Sequence, residues 1–428
     1  MRTAASSYYE ATVERPVYPS ASAAREEAQV CIVGGGFAGL ATALGLVERG
    51  MRDIVLLEAE RIGFGASGRN GGFVFGGYSL ECADLLRALG PHDARSLYRL
   101  TLDAVELIGK RIGRHGIECD VVQAGIILAD WFGRPDALAA QRELMRTSFG
   151  VEWEPISRSA LRERLKSDRY HGGLLERHGF HFHPLKYALG IAKVLAAAGV
   201  RIYEHSPALA FEPERDRHLV RTPNGSIVAR HVVTAAGGYA RGVYRAVERA
   251  VLPIATYVVA TEPLGDRLKG VIDCAAAVYD TRFSFDYYRP LRDTRILWGG
   301  RISIFERDPR TIAKLLMRDM LRVYPQLQGV KLEHAWSGLM SYGRRKMPQI
   351  GRCRDGVWHA VGFGGHGVAP TTAAGELLAA AIAEERPIPA PFARFGLESM
   401  HGVLGLAAAE ATYLAKIAAD AIADFRQR

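Results

Sequence analysis

The chain has 428 residues, which is enough for two hydrophobic cores, and its 48% hydrophobic and 24% charged residues are ordinary for a soluble globular protein. The net charge of +9 comes mainly from scattered arginines, with no basic run longer than residues 344–346, which argues against the clustered basic patch of a nucleic-acid-binding protein. The five cysteines are far apart and form no Cys-x-x-Cys pair, so we expect a reduced, cytoplasmic protein without a disulfide framework or zinc site.

The first 28 residues are polar and include Pro16 and Pro19, which predicts an irregular N-terminal arm. They lack the apolar core of a secretory signal. No later stretch reaches the ~18 uninterrupted apolar residues of a membrane span. We therefore expect neither a targeting segment nor a membrane partner.

The apolar strand at residues 29–33 leads directly into a Gly-x-Gly-x-x-Gly turn and a helix. In such a turn Gly34 permits the sharp change of direction, Gly36 lets a pyrophosphate approach the backbone, and Gly39 lets the helix pack closely on the strand. The helix N-terminus presents free amides to the phosphates. The next strand ends at Glu58, 19 residues after Gly39, where a carboxylate that binds ribose hydroxyls is expected. Together these features predict a dinucleotide-binding site.

A glycine-rich segment follows, and we call residues 63–72 the early loop. Its glycines are mixed with Ser, Arg and Asn, a composition that forms neither a packed helix nor a central strand. The composition therefore predicts a loop that wraps around a ligand.

Helical and strand-like patterns then alternate along the chain. Helical periodicity covers residues 79–116, 135–147, 157–165 and 185–198, and strand-like alternation covers residues 121–129. His181 and His183 alternate before a proline. A metal site would require more ligands at suitable spacing, so we predict structural hydrogen bonds for both histidines.

Strand-like alternation returns at residues 201–235, where Asn224 and Gly225 give a strong hairpin signal. The region closes in an apolar strand that runs into Gly237 and Gly238. This strand is predicted to return to the same doubly wound sheet.

A second sheet is predicted between residues 252 and 342. Short strands recur there, notably at residues 256–262, 284–289 and 295–300, and a helix spans residues 310–323. The pattern predicts a mainly antiparallel sheet with one covering helix, separate from the nucleotide-binding sheet.

A second strand, loop and helix lie at residues 356–385. Residues 362–368, which we call the late loop, are rich in glycine and open the helix, which predicts a second helix dipole aimed at the ligand. The final run, residues 404–425, is rich in alanine but contains charged residues such as Lys416. It indicates an amphipathic packing helix rather than a membrane-surface helix.

These elements predict an α/β protein in which a Rossmann-type FAD-binding domain is interleaved with a substrate domain built on a mainly antiparallel sheet with helices. The predicted boundaries are 1–28 for the arm, 29–84, 166–250 and 343–390 for the FAD-binding domain, 85–165 and 251–342 for the substrate domain, and 391–428 for a C-terminal helical tail.

The choice of a flavin over a nicotinamide depends on the two loops. A nicotinamide dehydrogenase needs neither the early nor the late loop, whereas a flavin is longer, stays bound, and needs amides or a helix N-terminus near its pyrimidine edge. The chain has one Gly-x-Gly-x-x-Gly motif, so a second cradle for a nicotinamide donor is not expected. An organic substrate is then expected to reduce the flavin, and oxygen or a carrier to reoxidise it.

The motifs together resemble those of the D-amino acid oxidase superfamily of FAD enzymes, and within it the gamma-glutamylputrescine oxidases. The matching segments are Val33-Gly-Gly-Gly36, Leu57-Glu58, Arg61-Ile-Gly-Phe-Gly-Ala-Ser-Gly-Arg-Asn-Gly-Gly72, Asp286-Tyr-Tyr-Arg289 and Gly364-Gly-His-Gly-Val368. The resemblance implies oxidation of a carbon–nitrogen bond in a small amine by hydride transfer to FAD. With O2 as acceptor, the coproduct is hydrogen peroxide.

The resemblance also implies the cofactor contacts. FAD-binding residues are expected at Gly34, Gly36, Phe37, Ala38, Gly39, Glu58, Ala59, Arg61, Gly65, Ala66, Ser67, Arg69, Asn70, Gly71, Gly72, Ala208, Ala236, Gly237, Gly364, Gly365, His366, Gly367 and Val368. Relatives that tether the flavin use a cysteine before the final strand, but residues 341–350 contain none, so dissociable FAD is expected. Relatives also activate oxygen with a lysine on a strand that matches residues 295–301, where this chain has none. Oxidase and dehydrogenase therefore both stay open.

The candidate catalytic residues are Tyr287, Tyr288, Arg345 and His366. Tyr287 and Tyr288 are neighbours on a strand, so only one of them can face the flavin. His366 and Arg345, or Lys346, are candidates for positive charge near the flavin.

Several other side chains have two interpretations each. Arg289, Arg344 and Arg345 are either clamps for a substrate carboxylate or surface ion pairs. Trp298 and Phe73 either line the cavity or belong to the core.

The leading function is an FAD-dependent amine oxidase with a small amine and O2 as partners. Two alternatives remain, an amine or amino acid dehydrogenase that passes electrons to a carrier or quinone, and a flavin-bearing nucleic-acid binder supported by the net charge alone.

Overall fold

The computed structural model describes residues 7–240 and 242–425. The helices are α1 (Tyr8–Ala11), α2 (Phe37–Glu48), α3 (Cys82–Leu89), α4 (Pro91–His115), α5 (Pro135–Leu144), α6 (Arg158–Leu165), α7 (Pro184–Ala197), α8 (Arg245–Ala250), α9 (Pro309–Val323), α10 (Val368–Ala383) and α11 (Gly402–Phe425).

The strands form two large sheets and a small one. They are β1 (Arg25–Val33), β2 (Ile54–Leu57), β3 (Phe73–Val74), β4 (Ile126–Ala129), β5 (Glu154–Ile156), β6 (Gly173–Glu176), β7 (Phe180–His181), β8 (Arg201–Tyr203), β9 (Ala210–Glu214), β10 (Arg217–Arg221), β11 (Ser226–Thr234), β12 (Leu252–Thr261), β13 (Ala277–Asp280), β14 (Tyr287–Pro290), β15 (Ile296–Ser303), β16 (Leu332–Tyr342), β17 (Gln349–Arg352) and β18 (Trp358–Val361).

The first sheet has the order β17-β18-β11-β1-β2-β8, with β9 and β10 added beside β11. β1 pairs in parallel with both β2 and β11, as the pattern of apolar residues predicts. Successive side chains of β1 point to opposite faces, so Val30 and Ile32 pack under the helices while Cys31 and Val33 join a second core. The predicted hairpin is confirmed, since Thr222 N donates to Gly225 O at 2.9 Å between β10 and β11.

The second sheet has the order β16-β12-β15-β14-β13-β4-β6-β5. Its pairs are antiparallel except β13 with β4. α9 covers one face, with Ile312, Leu316 and Met320 buried in the core of that side. The mainly antiparallel sheet and its covering helix are as predicted.

Helices α2 and α10 pack very closely on each other. A Cβ built on Gly375 would lie 2.6 Å from Ala41 Cβ, and one built on Gly45 would lie 2.8 Å from Ala379 Cβ. α4 packs on α10 in turn, because its buried Arg111 forms ion pairs with Glu376 and, at 2.6 Å, with Glu48 of α2. This helix layer brings the first and last parts of the first sheet together.

The chain departs from the predicted domain boundaries in its packing. β6 lies in the second sheet, although its residues fall in the range assigned to the FAD-binding domain. Leu97 and Ile108 of α4 share a core with α2 and α10, although the substrate domain was predicted for them. The division into domains stays a prediction.

The N-terminal arm is more ordered than predicted. Ser7 caps α1 by accepting a hydrogen bond from Glu10 N at 3.1 Å, and Tyr8 and Tyr9 are buried. The prediction of an irregular arm is wrong for this segment because its two tyrosines pack on residues far away in the sequence.

Helix α11 is held to the second sheet by its acidic residues. Glu410 accepts a hydrogen bond from Ile304 N at 3.0 Å, and Asp420 accepts one from Phe283 N at 2.9 Å. Asp424 pairs with Arg322 at 3.0 Å. Among the helices of the described ranges, α11 alone is long and apolar enough to cross a membrane by length and composition.

Candidate active site

Three strands of the first sheet end side by side. Gly34 N donates to Leu57 O at 2.8 Å, and Ala235 N donates to Val33 O at 2.8 Å. Gly34 has φ +115°, and a Cβ at this position would lie 2.7 Å from Ala235 O. Glycine is therefore required where the chain after β1 passes close to the chain after β11. The carboxyl ends of these parallel strands form the crevice in which such sheets bind nucleotides.

The N-terminus of α2 opens into this crevice. The cap residue Gly36 offers no side chain, and the hydroxyl of Ser67 from the early loop accepts the hydrogen bond of Phe37 N at 2.8 Å. A Cβ on Gly36 would lie 2.9 Å from Ser67 Oγ, and one on Gly39 would lie 1.9 Å from Gly34 O. Bare backbone and helix amides thus face the early loop, as an anion-binding helix N-terminus requires.

Glu58 lies at the end of β2 beside the glycine turn. Its Oε2 accepts a hydrogen bond from Gly35 N at 2.7 Å and its Oε1 accepts one from Glu60 N at 2.9 Å. Burial raises the pKa of Glu58, although both amides favour its charged form. A carboxylate in this position can accept ribose hydroxyls.

The other residues predicted to contact FAD near the strand ends differ in how far they are buried. Ala208 is buried in the same core as Val33, and Ala236 and Gly237 begin the turn after β11. Ala59 and Arg61, by contrast, have exposed side chains.

The early loop is held rigid by its own polar side chains. Asn70 Nδ2 donates to Ala66 O at 3.0 Å, and Asn70 Oδ1 accepts from Gly72 N at 2.8 Å. Arg69 Nη1 donates to Ser337 O of β16 at 3.1 Å. The loop is thereby fixed to the second sheet.

Arg289 of β14 in the second sheet supports the early loop by a hydrogen bond to its backbone. The residue is 3% exposed, and its Nε donates to Gly71 O at 2.7 Å. Nη2 donates to Phe182 O at 2.9 Å and to the Tyr9 hydroxyl at 3.2 Å. Neither predicted role, a carboxylate clamp or a surface ion pair, fits Arg289, because the guanidinium is buried against backbone carbonyls.

His181 and His183 form the predicted hydrogen bonds. Burial beside Arg289 lowers the pKa of His181 to about 3, so the ring is neutral and its Nε2 donates to Ala275 O at 2.7 Å. His183 Nδ1 accepts from Lys186 N at 3.1 Å and caps α7.

The late loop contacts the segment that follows the early loop. His366 N donates to Ser79 Oγ at 3.0 Å, and Ser79 Oγ donates to Phe363 O at 3.1 Å. His366 Nε2 donates to Phe75 O at 3.2 Å, and the two rings lie 4.1 Å apart. α10 begins here at the cap residue Gly367, with no side-chain cap. The late loop therefore meets residues 75–79, the segment that directly follows the early loop.

None of the candidates for positive charge supplies a cation here. Burial lowers the pKa of His366 to about 4, so the imidazole is neutral at pH 7. Arg345 is exposed and pairs with Glu398 at 2.9 Å, and Lys346 is exposed. Arg344 likewise is an exposed side chain near Glu398. The ion-pair interpretation of Arg344 and Arg345 fits the structure, and the catalytic one for Arg345 does not.

The two tyrosines of β14 face opposite sides of the second sheet. Tyr287 lies against the early loop, where a Cβ on Gly71 would be 2.6 Å from its ring, and it contacts Phe73 with ring centroids 5.7 Å apart. Tyr288 stacks on Trp298 at 4.4 Å on the other side. Tyr287 is therefore the residue of the pair that lies beside the early loop, while Tyr288 and Trp298 lie in the core on the opposite face of the sheet.

A row of aromatic side chains, not predicted from the sequence, continues from Tyr287. Tyr279 lies 5.5 Å from Phe75 and 5.7 Å from Phe285, measured between ring centroids. Phe283 then contacts Tyr413 of α11 at 6.2 Å. The alternation of Phe283, Phe285 and Tyr287 in the sequence could have predicted part of this row. The contact with Tyr413 of α11 could not have been predicted, because no sequence feature near Phe283 indicates it.

The described residues fit an FAD. Gly34 and Gly36 leave the backbone open, the cap residues of α2 and α10 are glycines without side chains, and Glu58 lies at the strand end. The adenosine and pyrophosphate would be held by the β1–α2 turn and Glu58, and the ring system by the early loop, the late loop and Tyr287.

Comparison with known proteins agrees with this geometry. The sequence profile of the family described as FAD dependent oxidoreductase matches residues 29–381. Gamma-glutamylputrescine oxidoreductase of Escherichia coli (strain K12) is 36% identical over 378 residues, which cover 87% of this chain and 88% of that protein.

Solved structures share the fold at low sequence identity. Glycine oxidase from Geobacillus kaustophilus has a TM-score of 0.73 at 21% identity and covers 87% of this chain and 99% of its own. L-Proline dehydrogenase from P. horikoshii has a TM-score of 0.72 at 19% identity and covers 87% and 100%. The profile match and the extent of the 36% identity together establish that this chain belongs to the FAD-dependent oxidoreductase family.

Proposed function

We propose that this protein oxidises a carbon–nitrogen bond of a small amine with noncovalent FAD, that its substrate is a gamma-glutamylated polyamine such as gamma-glutamylputrescine, and that O2 is the electron acceptor. The observation that carries the proposal is the meeting of Tyr287, the early loop and His366 of the late loop at one aromatic site. The extent of identity with gamma-glutamylputrescine oxidoreductase supports the choice of substrate.

The side chains at the site bind and orient the amine. When bound, FAD supplies a hydride acceptor for the carbon beside the nitrogen. That transfer requires a neutral amine, and the rings of Tyr287, Phe73 and Phe75 favour it because an apolar wall disfavours the ammonium form. The same wall keeps water from the reacting carbon. Arg289 positions the wall indirectly by fixing the Gly71 carbonyl.

The choice of O2 as acceptor depends on a fixed positive charge near the flavin. Arg289 is a buried cation directly below the early loop, and it takes the place of the lysine that residues 295–301 lack. The second candidate function, a dehydrogenase that passes electrons to a carrier, is favoured by the neutral state of His366.

One experiment distinguishes these functions. The purified yellow protein is mixed under nitrogen with gamma-glutamylputrescine, putrescine, glycine or proline, and its visible flavin absorbance is followed. We expect gamma-glutamylputrescine to bleach the flavin fastest, and air to restore the colour with one peroxide per turnover. Slow recolouring in air would support the dehydrogenase, and a flavin that none of the amines bleaches would contradict amine oxidation. Acid precipitation should leave the FAD in the supernatant.

A further inference from the structure

Helix α11 carries a continuous apolar stripe on the face that points away from the molecule. We call this stripe the outer seam, and it consists of Leu404, Ala408, Ala411, Ala415, Ala418, Ile422 and Phe425. All seven side chains are exposed, with Leu404 at 77% and Phe425 at 79%. An exposed apolar patch of this length marks an interaction surface.

The spacing within the outer seam is that of a helix that packs along a second helix. Successive members are alternately four and three residues apart, which is the heptad repeat of coiled coils. The opposite face of α11 already contacts its own chain through Glu410, Asp420 and Asp424. The heptad therefore serves a contact that the described residues, 7–240 and 242–425, do not make among themselves.

We propose that the outer seam is the contact between two copies of this chain, formed by α11 packing antiparallel on α11 of the second copy. From Leu404 to Ile422 the residue sizes are symmetric about Tyr413, and Phe425 lies beyond this symmetric part. In this orientation Leu404 opposes Ile422 and Ala411 opposes Ala415, so that large side chains meet large ones and small ones meet small ones. The helix dipoles oppose each other, which favours the antiparallel direction, and a two-fold axis relates identical surfaces.

The size of the surface is sufficient for a specific dimer. A helix of 24 residues is ~36 Å long and ~10 Å across, so its outward half offers on the order of 500 Å² per copy. Two copies then bury about 1,000 Å², which reaches the lower limit expected of a biological interface.

A lipid surface fits the outer seam less well than a second copy. Helices that lie on membranes carry Lys and Arg along their polar face, whereas the inward face of α11 presents Glu410, Asp420 and Asp424. A spanning orientation would place these carboxylates in hydrocarbon at high cost and would break the ion pair of Asp424 with Arg322.

The test compares Ala415→Glu with its neighbour Lys416→Glu in the FAD-loaded protein. Ala415 lies at the centre of the outer seam and Lys416 lies beside it, and both are exposed. Light scattering after size exclusion at micromolar concentration measures the mass. We expect the wild type and Lys416→Glu to have at least twice the mass of one chain, and Ala415→Glu to halve it. FAD content and circular dichroism should be equal in all three.

Three results would overturn the proposal. These are a wild type with the mass of one chain, a mass that Ala415→Glu does not reduce, and cosedimentation of the wild type but not Ala415→Glu with phosphatidylcholine–phosphatidylglycerol vesicles. The last result would assign the outer seam to lipid. None of them depends on the amine substrate, so the proposed function is tested separately.

Discussion

At the scale of single residues, Glu58 orders the glycine turn and is the residue expected to bind the ribose of FAD. Its two carboxylate oxygens accept the amides of Gly35 and Glu60. Hydrogen bonds to a charged group contribute about 1.5–3 kcal/mol, so Glu58→Ala should weaken FAD binding roughly 10- to 100-fold. Titration of the apoprotein with FAD, followed by flavin fluorescence, measures the change. Glu60→Ala is the control, and equal affinities in the two variants would contradict the role of Glu58.

The neighbours Tyr287 and Tyr288 should separate activity from stability. Tyr287→Leu removes the ring beside the early loop and should lower kcat/KM for the amine roughly tenfold, the equivalent of about 1.4 kcal/mol. Tyr288→Phe should leave kcat/KM unchanged but lower the melting temperature, because the hydroxyls of Tyr170 and Tyr324 lose their shared partner. Steady-state kinetics and thermal unfolding of both variants check this, and the reverse pattern would contradict the assignment of faces.

Glu176 should make stability depend on pH. Burial raises its pKa to about 7 in the folded protein, above the ordinary value of a glutamate. Between these two values the folded protein holds a proton that the unfolded chain releases, so the stability of the wild type falls as pH rises through this range. The melting temperature of Glu176→Gln should therefore exceed that of the wild type by more at pH 7.5 than at about pH 5. Glu118→Gln, at an exposed site, should give the same difference at both pH values, and the same behaviour of Glu176→Gln would refute the prediction.

At the scale of elements, the contact of α2 with α10 depends on glycine. Gly375→Ala would push a Cβ to 2.6 Å from Ala41, and overpacking of this kind costs about 1–3 kcal/mol. Gly109 of α4 has open space around its Cβ position, so Gly109→Ala should instead stabilise the helix by up to about 1 kcal/mol. Thermal unfolding of the two variants should shift in opposite directions. A shift of the same sign and size for both would mean that helix propensity, and not helix spacing, decides the outcome.

The elements that could be predicted from sequence have local signals. The turn from Gly34 to Gly39, the carboxylate of Glu58, the hairpin at Gly225 and the helix Pro309–Val323 each depend on residues close together in the chain. Periodicity and turn chemistry are sufficient to place them.

The features that could not be predicted depend on distant partners. Arg289 is buried because Gly71, Phe182 and Tyr9 surround it, and nothing near Arg289 in the sequence indicates this. Which of the two β14 tyrosines faces the early loop is set by the register of β14 with β15. Register requires knowledge of the partner strand, which the sequence pattern alone does not identify.

At the scale of the whole molecule, FAD should stabilise both sheets together. The predicted contacts run from Gly34 in the first sheet to Tyr287 in the second and His366 at the late loop, so the cofactor adds contacts between the two sheets. At free FAD 100-fold above its Kd, the stabilisation is about 2.7 kcal/mol. The melting temperature should rise with FAD concentration. Riboflavin lacks the pyrophosphate that α2 is expected to bind, so it should raise the melting temperature far less. Equal shifts with both ligands would contradict the predicted pyrophosphate site.

The burial of Tyr9 has a consequence for protein synthesis. The Tyr9 hydroxyl accepts a hydrogen bond from Arg289, which is 280 residues away in the sequence. The same hydroxyl donates to Asn70 O at 2.9 Å. The Tyr9 ring contacts Trp336, with 5.5 Å between the ring centroids. Helix α1 therefore cannot pack in its final position until about three quarters of the polypeptide has been translated. The late loop, residues 362–368, is made later still, so the complete cofactor site can form only on a nearly finished chain.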